Sequence, residues 1–212
     1  MAQIPSPKAP NLPLSPAVPD RQYLDQNNNA LRLYFNRLDT ALQNLLNYQG
    51  GKYVNFPYAA VQRTTNKTFT ANTPTQITFD KNDFLNGCTN DGTDGIHVEN
   101  PGIYNYQFSV QWANTSATIY NAYIWLRVNA ADAAGTASKF DIPAKHGSSD
   151  GYLIAAANFY LQLNAGDYVE MYAAVENSAA YMEAYAANSA GYPMPSIPSV
   201  VATLSFVSSP PP

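Results

Sequence analysis

The sequence predicts a mainly β protein, an antiparallel jelly-roll sandwich preceded by an extended Pro-rich arm and one long coiled-coil-type helix. Three observations predict it. From Tyr104 to Trp112 apolar and polar side chains alternate without a break, with Tyr, Tyr, Phe, Val and Trp on one face and Asn, Gln, Ser and Gln on the other. A period of two is that of a strand with one buried face. Leucines recur every seventh residue at Leu24, Leu31, Leu38 and Leu45, the period of a helix seam. Six prolines, Pro5, Pro7, Pro10, Pro13, Pro16 and Pro19, follow one another at spacings of two or three, which forbids a helix or a central strand.

Residues 1–20 therefore read as a polyproline-like arm that lies in solvent or along a partner. Residues 21–49 are the only helical segment. Asp20 caps its start and Gly50-Gly51 stops it. Phe35 and Leu42 fill the alternate positions of the leucine seam, and Asn28 also falls in it, where a polar residue sets register and strand number. Such a helix is marginal alone in water. Two readings fit: a coiled coil between subunits, or a single amphipathic helix packed on its own β domain.

After a linker at 50–57, residues 58–207 read as short strands divided by turn clusters. Ile77 and Phe79 alternate with threonines; Asn100-Pro101-Gly102 opens the long strand already described. Tyr120, Ala122, Ile124, Leu126 and Val128 form the inward face of the next, and Leu153, Ala155, Ala157, Phe159, Leu161 and Leu163 that of another. Asn164-Ala165-Gly166-Asp167 turns the chain, after which Val169, Met171, Ala173 and Val175 point inward. Met182, Ala184 and Ala186 suggest one more strand, and residues 200–207 end the domain before a short tail at 208–212. This many strands with no helix among them indicate a sandwich or jelly roll.

Composition excludes several classes. The net charge of −4 argues against nucleic acid, which demands a basic groove, and against attraction to anionic lipid. No apolar run approaches the roughly 18 residues of a membrane span. No basic start with an apolar core opens the sequence, so no secretory signal is expected. The single cysteine, Cys88, rules out an intrachain disulfide and multi-cysteine metal frameworks, and it reads as a small residue in a connecting loop.

The residues capable of chemistry are few, and no cofactor motif is read. His97 and His146 have no nucleophile elbow or zinc spacing beside them and read as strand and loop histidines. Asn90-Asp91-Gly92-Thr93-Asp94-Gly95 offers hard oxygen ligands for Ca²⁺ from Asp91 and Asp94, but Asp-Gly pairs are also plain turn formers. Tyr168, Glu170 and Tyr172 share one face of a strand, as do Tyr181, Glu183 and Tyr185. Such faces suit carbohydrate, by ring stacking and carboxylate hydrogen bonds, or the packed axis of an oligomer. Hydrolysis of polysaccharide would need two carboxylates at a defined separation. Glu170 and Glu183 are the pair on offer, and no spacing singles them out.

Asn100-Pro101-Gly102-Ile103-Tyr104-Asn105-Tyr106-Gln107-Phe108-Ser109-Val110 resembles the central Pro-Gly-x-Tyr-x-Phe strand of the trimeric jelly rolls of tumour necrosis factor and the complement globular heads. Asn164-Ala165-Gly166-Asp167-Tyr168-Val169 is similar to that family's later Gly-Asp-x-Val turn. The last strand departs from its pattern, reading Ala202-Thr203-Leu204-Ser205-Phe206-Val207. The whole layout more closely resembles virion proteins of tailed phages, marine and cyanobacterial ones in particular. It does so through the Pro-rich arm, the helix around residues 31–39, the run Ile124-Trp125-Leu126-Arg127-Val128-Asn129 and the ending Pro195-Ser196-Ile197-Pro198-Ser199-Val200-Val201-Ala202-Thr203. The resemblance implies a non-enzymatic homotrimeric fibre, knob or decoration protein, made in the host cytoplasm and carried on the virion, where the arm meets other virion proteins. It also implies that Leu24, Leu31, Phe35, Leu38, Leu42 and Leu45, with Tyr168, Tyr172, Tyr181 and Tyr185, pack between subunits. The alternative is a receptor-binding tip that recognises host surface glycan.

Overall fold

A computed structural model describes residues 10–14, 20–46, 56–188 and 193–209, and the side chains of these residues except at 44–46. The chain divides into two units, Met1–Asn55 and Phe56–Pro212. In the first, helix α1 (Arg21–Leu46) runs 26 residues, about 39 Å at 1.5 Å per residue. Asp20 caps it as expected, its Oδ1 accepting the Tyr23 N–H at 2.7 Å. The expected last turn, the Gly50-Gly51 stop and most of the arm lie outside the described residues. On the leucine seam Leu24, Phe35 and Leu42 stand half exposed, and Leu31 and Leu38 are partly covered. No helix among the described residues is long and apolar enough to cross a membrane.

The second unit is a β sandwich of two antiparallel sheets. Its strands are β1 (Tyr58–Arg63), β2 (Thr75–Ile77), β3 (Lys81–Asn86), β4 (Cys88–Thr89), β5 (Ile96–Val98), β6 (Gly102–Asn114) and β7 (Tyr120–Val128). They continue with β8 (Ala131–Asp132), β9 (Ser138–Ile142), β10 (Gly151–Leu163), β11 (Tyr168–Val175), β12 (Ala180–Met182) and β13 (Val200–Ser208). The first sheet runs β10-β6-β13-β1-β3, with β12 also on β6. The second runs β4-β5-β11-β7-β8, with β2 on β11 and β9 on β7. Period two decides which residues meet between the sheets. Tyr104, Tyr106, Phe108, Val110 and Trp112 of β6 face Ile124 and Leu126 of β7 and Val169, Met171, Ala173 and Val175 of β11 within one core.

Two expectations need correction. Cys88 is not in a loop: it lies buried in β4, paired with Val98, and burial, reinforced by Glu99, pushes its thiol up to about 11. The strand expected through Met182, Ala184 and Ala186 stops at Met182. Beyond it the Ala184 N–H is taken by the Asn66 side chain and Tyr185 pairs with Ile197, so neither later alanine reaches the core.

Two tyrosines of β6 are both fully buried but differ in their hydroxyls. That of Tyr104 donates to the Asn100 carbonyl at 2.7 Å, tying the strand to the turn that opens it. That of Tyr106 has no hydrogen-bond partner among the described residues, and burial pushes its pKa far up. Removing a satisfied buried bond costs about 1 kcal/mol, while removing an unsatisfied polar atom relieves a desolvation penalty of similar size. Tyr104→Phe is therefore expected to lower the urea midpoint and Tyr106→Phe to hold or raise it, with unchanged slopes in both unfolding curves.

Candidate functional site

The outward faces of the two sheets differ in chemistry. On the first sheet the outward residues of β10, β6, β13 and β1 carry no ionisable charge. Tyr152, Ile154, Ala156, Asn158 and Tyr160 of β10 lie beside Ala113, Gln111, Ser109, Gln107 and Asn105 of β6. Val201, Thr203 and Ser205 of β13 follow, and then Gln62, Ala60 and Tyr58 of β1. Ile154 and Tyr160 are each 64% exposed. β10 is the edge of this sheet and has no charged residue or proline along its 13 residues. Edge strands ordinarily carry such residues to prevent pairing with other chains.

One end of this face holds Tyr181, Glu183 and Tyr185. Tyr181 stands opposite Ala113, whose other neighbour is Tyr152, and the two rings leave that alanine no exposure. Both tyrosines donate to the same carboxylate, Tyr181 to Oε1 of Glu183 at 3.0 Å and Tyr185 to Oε2 at 2.5 Å. Burial first, and then the Glu183 carboxylate, pushes the Tyr181 hydroxyl up to about 12 and raises that of Tyr185 as well. With each oxygen satisfied by a neutral donor, Glu183 can lose water at lower cost than a bare carboxylate.

The outward face of the second sheet is aromatic and charged. Val169, Met171, Ala173 and Val175 face the core, so Tyr168, Glu170 and Tyr172 of β11 face out. Tyr168 stands opposite His97 of β5, ring centroids 5.1 Å apart, and Tyr172 opposite Trp125 of β7 at 5.9 Å. Between these ring pairs Glu170 is in register with Arg127, yet Arg127 turns elsewhere. Its guanidinium carbon sits 4.0 Å from the Tyr172 ring centroid, and its Nε donates to Oδ1 of Asp132 at 2.6 Å. The Trp125 indole N–H donates to the same oxygen at 2.9 Å. Donation by Arg127, then by Trp125, holds the Asp132 carboxyl below its usual range.

The β7–β8 hairpin brings Arg127 and Asp132 together. Its two central residues, Asn129 and Ala130, have φ of 52° and 63°, both left-handed as a two-residue hairpin turn of this kind requires. Asn129 also ties the turn to β11, donating to Asp167 and accepting the Tyr168 N–H.

The structure does not bring the two Tyr-Glu-Tyr sets together. Tyr168, Glu170 and Tyr172 lie on one outer face of the sandwich and Tyr181, Glu183 and Tyr185 on the other. Glu170 and Glu183 therefore face no common cleft. At the Asp91 loop, Oδ1 of Asp91 accepts the Thr93 N–H at 2.9 Å, the Thr93 hydroxyl at 2.6 Å and, at 3.4 Å, the Asp94 N–H. The Thr93 hydroxyl is the main cause holding Asp91 below its usual range. Among the described residues no cluster of three or more His, Cys, Asp or Glu side chains is placed to hold a metal ion. His97 stacks on Tyr168, and the His146 backbone closes a tight turn with Ser149.

Sequence reasoning missed Trp125, Arg127 and Asp132 as a set. Their spacing across a two-residue turn contained the signal, but Asn129-Ala130 lacks the glycine that usually announces such a hairpin.

No protein-family model matches this chain, and a search of curated proteins finds no relative.

Proposed function

We propose that this chain is a non-enzymatic structural protein of a tailed-phage particle, a homotrimer in which α1 forms a coiled coil and the sandwich is a jelly roll of the trimeric kind. The arm at residues 1–20 attaches it to other virion proteins. The observation that carries the assembly reading is the uncharged outward face of the β10-β6-β13-β1 sheet, with Tyr152, Ile154 and Tyr160 open on an unguarded edge strand. A large, charge-free face calls for cover by another protein surface, and the capping of Glu183 by two tyrosines suits the same burial. Exposed Leu24, Phe35 and Leu42 on α1 supply a second apolar surface, for which the occupant is two further copies of the same seam. The phage attribution is supported by the resemblance in layout, from arm to helix to β domain.

Light scattering on the full chain and on a version starting at Phe56 tests this. The expected masses are three 23.1-kDa protomers for the full chain and a smaller trimer for the truncated one. A truncated monomer would place assembly in α1 alone. A full-length monomer would overturn the trimer.

A further inference from the structure

We propose that the outward face of the second sheet around Trp125, Tyr172, Arg127 and Asp132 is a saccharide-binding site. It lies on the opposite side of the sandwich from the assembly face and does not depend on it.

Two ring pairs, Trp125–Tyr172 and His97–Tyr168, are set along β11 with interplanar angles of 32° and 31°. Aromatic rings grouped on one sheet surface form a platform that suits the C–H faces of sugar rings, because a negative ring face attracts polarised C–H groups. The Tyr172 face is taken by the Arg127 guanidinium, so Trp125, His97 and Tyr168 are the rings left to meet sugar. Hydrogen-bonding groups border the platform. The Asp132 side chain is 66% exposed. Its Oδ1 is engaged by Trp125 and Arg127, and among the described residues its Oδ2 has no hydrogen-bond partner. A carboxylate beside a guanidinium fits the paired acceptor and donor of vicinal hydroxyls.

Glu170 is the independent second observation. It is 6% exposed and sits between Tyr168 and Tyr172 on the outward side of β11, and among the described residues its Oε2 has no hydrogen-bond partner. A buried carboxylate oxygen without a donor is costly. The cationic residue in register with it, Arg127, is held by Tyr172 and Asp132 instead. This oxygen is closed to solvent in the free chain, so a ligand that engages Asp132 reaches it with a hydroxyl donor by displacing the side chains that cover it.

Size and charge decide the occupant. From β2 to β8 the platform spans about 14 Å, three strand spacings. A stable protein partner needs about 800 Å² on each side, and the platform presents no aliphatic side chain to anchor one. Its formal charges, Arg127 against Asp132 and Glu170, do not favour a polyanion such as nucleic acid. A short stretch of polysaccharide fits each of these limits. Three copies of such a site on one trimer would add avidity to modest single-site affinity.

The test applies the full-length protein to a printed array of bacterial lipopolysaccharide and capsular oligosaccharides, then titrates the strongest binder. The chain has two tryptophans and Trp112 is 1% exposed, so a ligand-induced shift in emission reports on Trp125. Asp132→Asn and Tyr172→Ala are each expected to weaken binding about tenfold or more, the loss of one charge-assisted contact or of the ring that seats Trp125 and Arg127. Trp125→Phe is expected to abolish the emission shift. Asp132→Asn, at an exposed position, keeps the test valid if Tyr172→Ala fails to fold. Absence of any binding on the array, or binding that Asp132→Asn leaves unchanged, would overturn the proposal.

Discussion

Gly95→Ala is expected to unfold the sandwich at temperatures where the parent chain is intact. Gly95 enters β5 with φ of +94°, a region that L side chains rarely adopt, and a Cβ built there falls 2.2 Å from the Val169 carbonyl oxygen and 3.1 Å from the Glu170 Cα. Both neighbours are backbone atoms of β11, a strand buried in the core on one side and bearing Tyr168 and Tyr172 on the other, so no side chain can rotate to relieve the clash. Backbone strain of about 1–3 kcal/mol adds to overpacking of about the same size. Their sum is a large share of the roughly 5–15 kcal/mol that holds a domain together. Thermal unfolding by circular dichroism should show a fall in midpoint of ten degrees or more, on the order expected for several kcal/mol in a domain of this length. Ala at Gly135, where the φ is also positive at +79° but no atom lies within 4 Å, should cost only the strain. The difference between the two variants isolates the contact with β11. Equal midpoints would show that the close approach of β5 to Val169 is not a constraint on the fold.

What was legible in the sequence was whatever one element decides by itself. The unbroken alternation from Tyr104 to Trp112 placed the inward residues of that stretch of β6 correctly, because period two needs no knowledge of neighbours. Asp20 as a cap followed from local chemistry, and so did the turn at Asn164–Asp167, closed by Asp167 bonding back to Asn164. What was not legible was the choice of sheet. Tyr168-Glu170-Tyr172 and Tyr181-Glu183-Tyr185 have the same local pattern, yet the first set belongs to a strand paired with β7, while Tyr181 belongs to one paired with β6 and Glu183 and Tyr185 lie beyond its end. Sheet membership rests on pairings between distant segments, such as β6 with β13, on which an alternating pattern is silent. Glu170 was misleading for a related reason. Alternation puts it outside, and only neighbours contributed by other strands and loops make that outside position a buried one.

In the chain starting at Phe56, where α1 is absent, Ile154→Asp is expected to turn the oligomer into a monomer without loss of fold. Ile154 points away from the core, is 64% exposed in the single chain and lies opposite Gln111 on the edge of the first sheet. Folding of the protomer therefore asks nothing of it, and an exposed substitution away from core contacts changes stability by about 0.5 kcal/mol or less. If the uncharged face is covered by another copy, the outcome for assembly is different. A carboxylate brought into a desolvated interface without a cationic partner costs several kcal/mol, and the cost recurs at every symmetry-related contact. No compensating charge is available on this face: β10, β6, β13 and β1 offer amides, hydroxyls and rings, and the nearest acid, Glu183, would repel the new one. Sedimentation or light scattering should then show single protomers of the shortened chain in place of trimers, with a far-ultraviolet spectrum and thermal midpoint close to those of its parent. Ile154→Gln serves as the control, since it removes the aliphatic group without adding charge and should weaken assembly only at low concentration. If Ile154→Asp stays trimeric, the β10 face is not an interface. Assembly of the sandwich would then rest on another of its surfaces, whereas a parent chain starting at Phe56 that is already a monomer would leave the leucine seam of α1 to carry assembly alone.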